Sequence, residues 1–284
     1  LQLTNKNFYK TVFALVIPLA IQNLINVGVT SADVIMLGRV NETVLSAASL
    51  ASQVQFVMTL FFFGLTSGAA VLTAQYWGKK DTLSIEKVLG ISLKFSLIVS
   101  IIFTSVTFIF PREIMMLFSS EEPVINEGIK YLRIVCFSYI FSSITIVYLN
   151  IMRTLEKVII STVVYSVSLI INVIFNYILI FGISFIPSFG IAGAAISTLI
   201  ARIVEVIITL VYAYRCNETV KIKLKYLIKS DKLLLKDFFR FSIPVTVNEL
   251  LWGLGTSVNA AILGQLGSQV AAASSIVQVT RQLA

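Results

Sequence analysis

Histidine is absent from this 284-residue chain, and charge is scarce: 13% of residues are charged against 57% hydrophobic. The missing histidine removes the commonest general base and metal ligand, which excludes His-based catalysis and most transition-metal sites. Two cysteines, Cys136 and Cys216, provide neither a disulfide framework nor a metal-ligand spacing. Prolines are few, and there is no low-complexity tract. So little charge cannot cover the surface of a soluble domain of this length.

Apolar sequence is abundant instead, with a mean hydropathy of +0.92. A spanning helix needs about 20 mostly apolar residues. Such runs occur at roughly 11–37, 45–73, 88–110, 130–152, 158–182, 190–214 and 238–264, and an eighth starts near 269. The runs are too long for barrel strands, and an open sheet cannot satisfy its backbone in lipid, so helices are expected. The fold class is therefore an all-α, polytopic membrane bundle. The first run is too long for a cleaved signal and lacks a small-residue cleavage site.

The net charge of +8 lies in short segments between the runs, where a membrane surface accounts for it better than nucleic acid. One side carries Lys6, Lys10, Lys79, Lys80, Lys87, Arg153, Lys157, Arg215, Lys221, Lys223, Lys225, Lys229, Lys232 and Lys236. The other has Arg39, Arg112 and Lys130, the last two among Glu113, Glu121, Glu122 and Glu127. This asymmetry predicts a cytoplasmic N-terminus.

A shift of 226 residues superposes the start of the first run on the start of the seventh. Lys10, Phe13, Ile17 and Pro18 fall on Lys236, Phe239, Ile243 and Pro244. Leu24, Thr30, Ser31, Leu37, Gly38, Ala47 and Ser49 fall on Leu250, Thr256, Ser257, Leu263, Gly264, Ala273 and Ser275. Six runs per period give two units of the same orientation, related by an axis along the membrane normal, with a substrate path between them. The expected organisation is a six-helix lobe over 1–214, a basic cytoplasmic loop over 215–237, and the start of a second lobe over 238–284. A full protein would have about twelve helices.

Ionisable and polar groups at membrane depth are candidate functional groups. Asn23, Asn26, Thr30 and Asp33 are spaced three, four and three apart and share a helix face. Their repeat partners are Glu249, Trp252, Thr256 and Asn259. The fifth run holds a further stripe, Ser161, Tyr165, Ser168, Asn172 and Asn176. The hydroxyl members suit helix–helix hydrogen bonding. Asp33 and Glu249 have no basic residue one turn away, so each is expected to take a proton or bind a cation. Asn172 and Asn176 reach similar depth to Asp33, and one carboxylate with two amide oxygens suits a hard monovalent cation such as sodium. Arg202 and Glu205 are three apart and suited to a structural ion pair, while Lys94 can snorkel to the interface. Gly64 and Gly68 form a GxxxG spacing that favours close packing, and Pro18 and Pro244 should bend their helices.

Several stretches together resemble the multidrug and toxic compound extrusion (MATE) family. They are Ile17-Pro18 through Asp33 to Gly38, Ala74-Gln75-Tyr76-Trp77-Gly78, Ile171-Asn172 to Phe181-Gly182, Gly190 to Ala195 with Thr198, and Ile243-Pro244 with Glu249. The resemblance implies a bacterial inner-membrane antiporter of two six-helix lobes, monomeric and not an enzyme. It would export organic, cationic or amphipathic compounds in exchange for sodium or protons and use no cofactor beyond that coupling ion. It also implies that Asp33, Asn172, Asn176 and Thr198 belong to the cation site, with Glu249 acting in the second lobe. Asn23, Asn26, Thr30, Tyr165, Ser168, Trp252 and Thr256 are expected to line the substrate cavity. Three positions depart from the family pattern: Asn176 where one proton-coupled branch has aspartate, Asn41 where glycine is usual, and Arg153-Thr154-Leu155-Glu156 in place of Arg-Ala-x-Gly.

A lipid-linked oligosaccharide flippase of the same superfamily is the alternative. It should line its cavity with several cationic residues, for which only Arg202 and Arg133 are deep candidates. An intramembrane enzyme lacks its nucleophile, base or metal cluster, and a channel lacks its ring of charges.

Overall fold

The computed structural model describes the backbone of residues 5–183, 187–228 and 231–283, and side chains within these except 5–12, 14, 15, 26 and 279–283. The side chains of Lys6, Lys10 and Asn26, and all of Lys229, lie outside the described residues.

The first apolar run is α1 (Asn5–Gly38), followed by α2 (Glu42–Gly78) and α3 (Thr82–Ile109). α2 starts where the Asn41 side chain accepts from the Val44 amide at 2.7 Å, which explains asparagine at a position where glycine is usual. α3 starts at Asp81, whose carboxylate takes the Ser84 amide at 3.0 Å and the Ser84 hydroxyl at 2.6 Å. α4 (Pro111–Phe118) opens on a proline, which suits a first helical turn.

The expected single span at 130–152 is instead two helices, α5 (Glu122–Val135) and α6 (Ser138–Thr154), bent by 56°. The bend falls where the Cys136 carbonyl accepts the Thr104 hydroxyl of α3 at 3.0 Å. A neighbouring side chain has entered the helical hydrogen-bond ladder, one of the few causes of a sharp kink.

The remaining spans are α7 (Ile159–Phe181) and α8 (Ile191–Val211), the latter prolonged by a π-turn over Tyr212–Cys216. After the short α9 (Leu224–Ile228) come α10 (Lys232–Gln265) and α11 (Ser268–Leu283). The described residues contain no strand. Among the described residues five helices are each long and apolar enough to cross a bilayer, and six if the bent pair is counted as one span. Large apolar side chains such as Leu24, Ile109, Ile170 and Leu251 face outward, as a lipid-facing surface requires.

α2 is the central helix and packs along α10, whose contact face is made of small residues. Gly64 abuts Thr246 and Gly68 abuts Ser242, so the GxxxG spacing does bring two backbones together. The α10–α11 turn is tied to the α4–α5 loop: Ser120 bonds Gln265, Gln265 donates to the Met116 carbonyl at 3.2 Å, and the Ser268 amide donates to Glu121 at 2.8 Å. Gly267, at φ +124, makes that turn possible.

Candidate functional site

α1 lies against α7, which faces α8, and the three enclose a cavity of about 640 Å³ together with α2, α5, α6 and α11. From the α1 stripe Asn23, Thr30 and Asp33 line it; from α7, Tyr165, Ser168 and Asn172; from α8, Thr198. The periodicity that placed each stripe on one helix face is what aims them at a common space.

Asp33 and the α7 amides touch. The Asn176 amide nitrogen donates to Asp33 at 2.5 Å and to the Asn172 oxygen at 3.0 Å. Asn172 and Asn176 are buried, four residues apart, one turn of the same helix. The Asn176 oxygen is buried and accepts no hydrogen bond. Turning that amide over would present its oxygen towards Asp33 and Asn172, giving three oxygen ligands on one side of a small cation. The donor set therefore fits a hard monovalent ion or a proton on the carboxylate.

A second charged group shares the cavity. Arg202 pairs with Glu205 at 2.7 Å, and the Ser168 hydroxyl donates to the same Glu205 oxygen at 2.6 Å. Glu205 is 1% exposed, so its charge depends on these partners. Both members of the pair line the cavity, so the pair is part of the site as well as of the packing.

Not every expected residue arrives there. Glu249, Trp252 and Thr256 lie outside this cavity. α10 turns its small-residue face to α2, with Gly253 against Leu60, which carries the stripe away from Asp33. Trp252 instead meets Phe56 edge-on at 6.0 Å, and Thr256 bonds the Gly253 carbonyl at 2.8 Å. Arg133 is exposed and absent from the lining, whereas Arg153 at the end of α6 is part of it. Pro18 sits within a continuous α1, and its carbonyl accepts the Thr162 hydroxyl at 3.1 Å. Pro244 likewise sits inside an unbroken α10.

The cavity has lining residues that the sequence reading passed over. Ser49, Ser52, Gln55 and Thr59 recur along α2 at three, three and four residues, a polar stripe as regular as those on α1 and α7. Gln22 is 5% exposed with an unpartnered side-chain oxygen, and it is eleven residues from Asp33, three helical turns along the same face.

Apolar spans around a polar, partly charged cavity define a helical membrane protein. The chain belongs to the MatE family, whose profile matches residues 18–178, and this is a family of transporters. It is 26% identical over 273 residues to the multidrug export protein MepA of Staphylococcus haemolyticus, covering 95% of this chain and 59% of that one. It is also 26% identical over 224 residues to the probable multidrug resistance protein YoeA of Bacillus subtilis, covering 78% and 48%. The chain thus spans about half to three-fifths of the length of these curated bacterial relatives. Two solved structures of a multidrug resistance MATE family transporter share the fold. The inward-facing one gives a TM-score of 0.76 at 22% identity, covering 93% of this chain and 60% of the other. The outward-facing one also gives 0.76, at 19% identity, covering 96% and 65%.

Proposed function

We propose that this chain supplies the first lobe of a secondary antiporter that exports organic, cationic or amphipathic compounds in exchange for sodium or protons. On this reading residues 1–214 are the lobe, 215–237 a cytoplasmic loop, and 238–284 the start of the second lobe. The N-terminus lies in the cytoplasm. The observation that carries the reading is the hydrogen-bonded set Asp33, Asn176 and Asn172 opening on a cavity of drug-sized volume. The names of the relatives, multidrug export and multidrug resistance proteins, point the same way.

Among the described residues lining the cavity, Glu205 is paired with Arg202, and Asp33 is the carboxylate without an ion-pair partner. A monovalent ion or a proton on Asp33 neutralises it, and a cationic substrate competes for the same carboxylate. Alternating access then follows from the two occupants excluding each other. The flippase alternative gains Arg153 as a lining residue but has Arg202 committed to Glu205, leaving for a pyrophosphate the Arg153 guanidinium, which donates to Asn150 at 3.4 Å.

The test is export of a fluorescent organic cation from vesicles holding the protein as the cell makes it, with sodium and proton gradients imposed separately. Asp33→Asn should slow export at least about tenfold under whichever gradient drives it. Export by Asp33→Asn at the wild-type rate would overturn the coupling role.

A further inference from the structure

We propose that residues 221–228 and 231–236 lie in the membrane–water interface and gather anionic phospholipid headgroups of the leaflet they border. The proposal needs only that the chain spans a membrane and does not rest on what is transported.

The segment is fastened to α3 at two points one helical turn apart. The Glu86 carboxylate, 7% exposed, accepts the Lys221 amide at 3.1 Å and the Lys223 ammonium at 2.6 Å. At Gly90 the α9 backbone passes so close that an added Cβ would fall 2.5 Å from the Tyr226 Cβ and 2.8 Å from its carbonyl carbon. Only glycine admits that approach. Gly90 is eight residues past the start of α3, about 12 Å along its axis. That distance carries Tyr226 through a headgroup layer to the edge of the hydrocarbon.

The outward face of the segment then has the composition of an interfacial helix. Leu224 is 68% exposed, Ile228 77% and Leu233 69%. Among them stand Lys221, Lys225, Lys232 and Lys236, all exposed. Among the described residues none of these four is in an ion pair; Glu86 is held by Lys223 and Asp231 by Lys87 at 3.2 Å, and against the four lysines stand only Glu218 and Asp237 as further nearby acids. Large aliphatic side chains beside uncompensated ammonium groups, at interface depth, match acyl chains beneath anionic headgroups. A soluble acidic partner would leave the leucines and isoleucine in water.

The experiment places bimane on Ile228→Cys in a Cys216→Ser background, with Cys136 buried and left in place. The protein is reconstituted in phosphatidylcholine alone or mixed with phosphatidylglycerol. Quenching by a doxyl-labelled lipid should exceed quenching by aqueous iodide, and more so with phosphatidylglycerol present. Retention of phosphatidylglycerol over phosphatidylcholine, read by native mass spectrometry, should fall about fivefold for each of Lys221, Lys225, Lys232 and Lys236 changed to glutamine. These surface changes leave the strap to α3 intact, so misfolding does not confuse the result. Dominant iodide quenching would overturn the interfacial placement. Equal retention of both lipids, before and after the lysine changes, would overturn the headgroup recognition.

Discussion

The hydroxyls of Ser49 and Ser275 lie 2.6 Å apart, and the two residues are separated by the 226 positions that superpose the repeat on itself. When two equivalent residues of symmetry-related units touch each other, the axis passes between them. The neighbouring contacts cross in the same sense, with α10 packed on α2 and α1 on α11. Both serines line the cavity, so on the proposed two-lobe organisation the axis runs at its wall. A Ser49→Cys, Ser275→Cys pair in a Cys216→Ser background should therefore form a disulfide under mild oxidation, since oxygens this close place the two Cβ atoms in bonding range. A Ser274→Cys partner in place of Ser275→Cys should not crosslink. The check is a peptide map under non-reducing conditions.

The Arg202–Glu205 pair predicts an asymmetry between single and double changes. Glu205→Gln alone leaves the part-buried Arg202 guanidinium without its carboxylate and should cost about 1–3 kcal/mol of stability. The double change Arg202→Leu, Glu205→Leu removes both charges and should cost far less. Thermal unfolding in detergent separates the two cases. A double variant as unstable as the single one would show that the pair is not self-contained.

Close packing at Gly64 predicts a sharp contrast along the same bundle. Gly64→Val drives a side chain into Thr246 of α10 and should cost about 1–3 kcal/mol. Gly255 has nothing within 4 Å of an added Cβ, so Gly255→Ala should be neutral or slightly stabilising. Paired melting curves decide the matter.

The strap at the basic segment should have both an acid and an alkaline limit. The Lys87 ammonium, with the Leu233 amide, holds the Asp231 carboxyl below its usual range. A lowered carboxyl stabilises the fold above that range, and the gain is lost as pH falls through the lowered value. The Glu86 carboxylate raises the Lys223 ammonium, whose contribution is complete below the usual lysine range and is lost as pH rises through the raised value. Hydrogen exchange over 217–236 should be protected evenly from about pH 5 to 9 and rise beyond either end. High salt should weaken both contacts, since both pairs are partly exposed.

Sequence periodicity carried the α1 and α7 stripes into the cavity because spacing on a straight helix fixes direction. It could not show that the α10 stripe turns elsewhere, because that depends on which face α2 claims. The bend at Cys136 was equally invisible, since its cause is Thr104, thirty-two residues away on another helix. Besides Asn41, a second departure from the family pattern acquires a physical meaning only in the structure. Glu156 occupies a left-handed position, φ +63, that ends α6 with bonds from the Glu156 amide to Arg153 and from the Lys157 amide to Met152. Glutamate there costs about 1 kcal/mol relative to the usual glycine.

The two ends of α10 are fastened unequally. At its C-terminus, hydrogen bonds join Gln265 and Ser268 to Ser120, Met116 and Glu121, and Gly264 presses on the Phe118 backbone. At its N-terminus, the Lys87–Asp231 pair is part-exposed and weakened by salt. Any rearrangement that parts the two units at the first end must break several bonds together, each worth about 1 kcal/mol. Parting them at the second must instead expose Leu234 and Phe238, both buried, and separate Phe239 from Phe95 of α3 at 4.7 Å. The helix is thus clamped by hydrogen bonds at one end and by apolar packing at the other, so salt or pH loosens neither end outright.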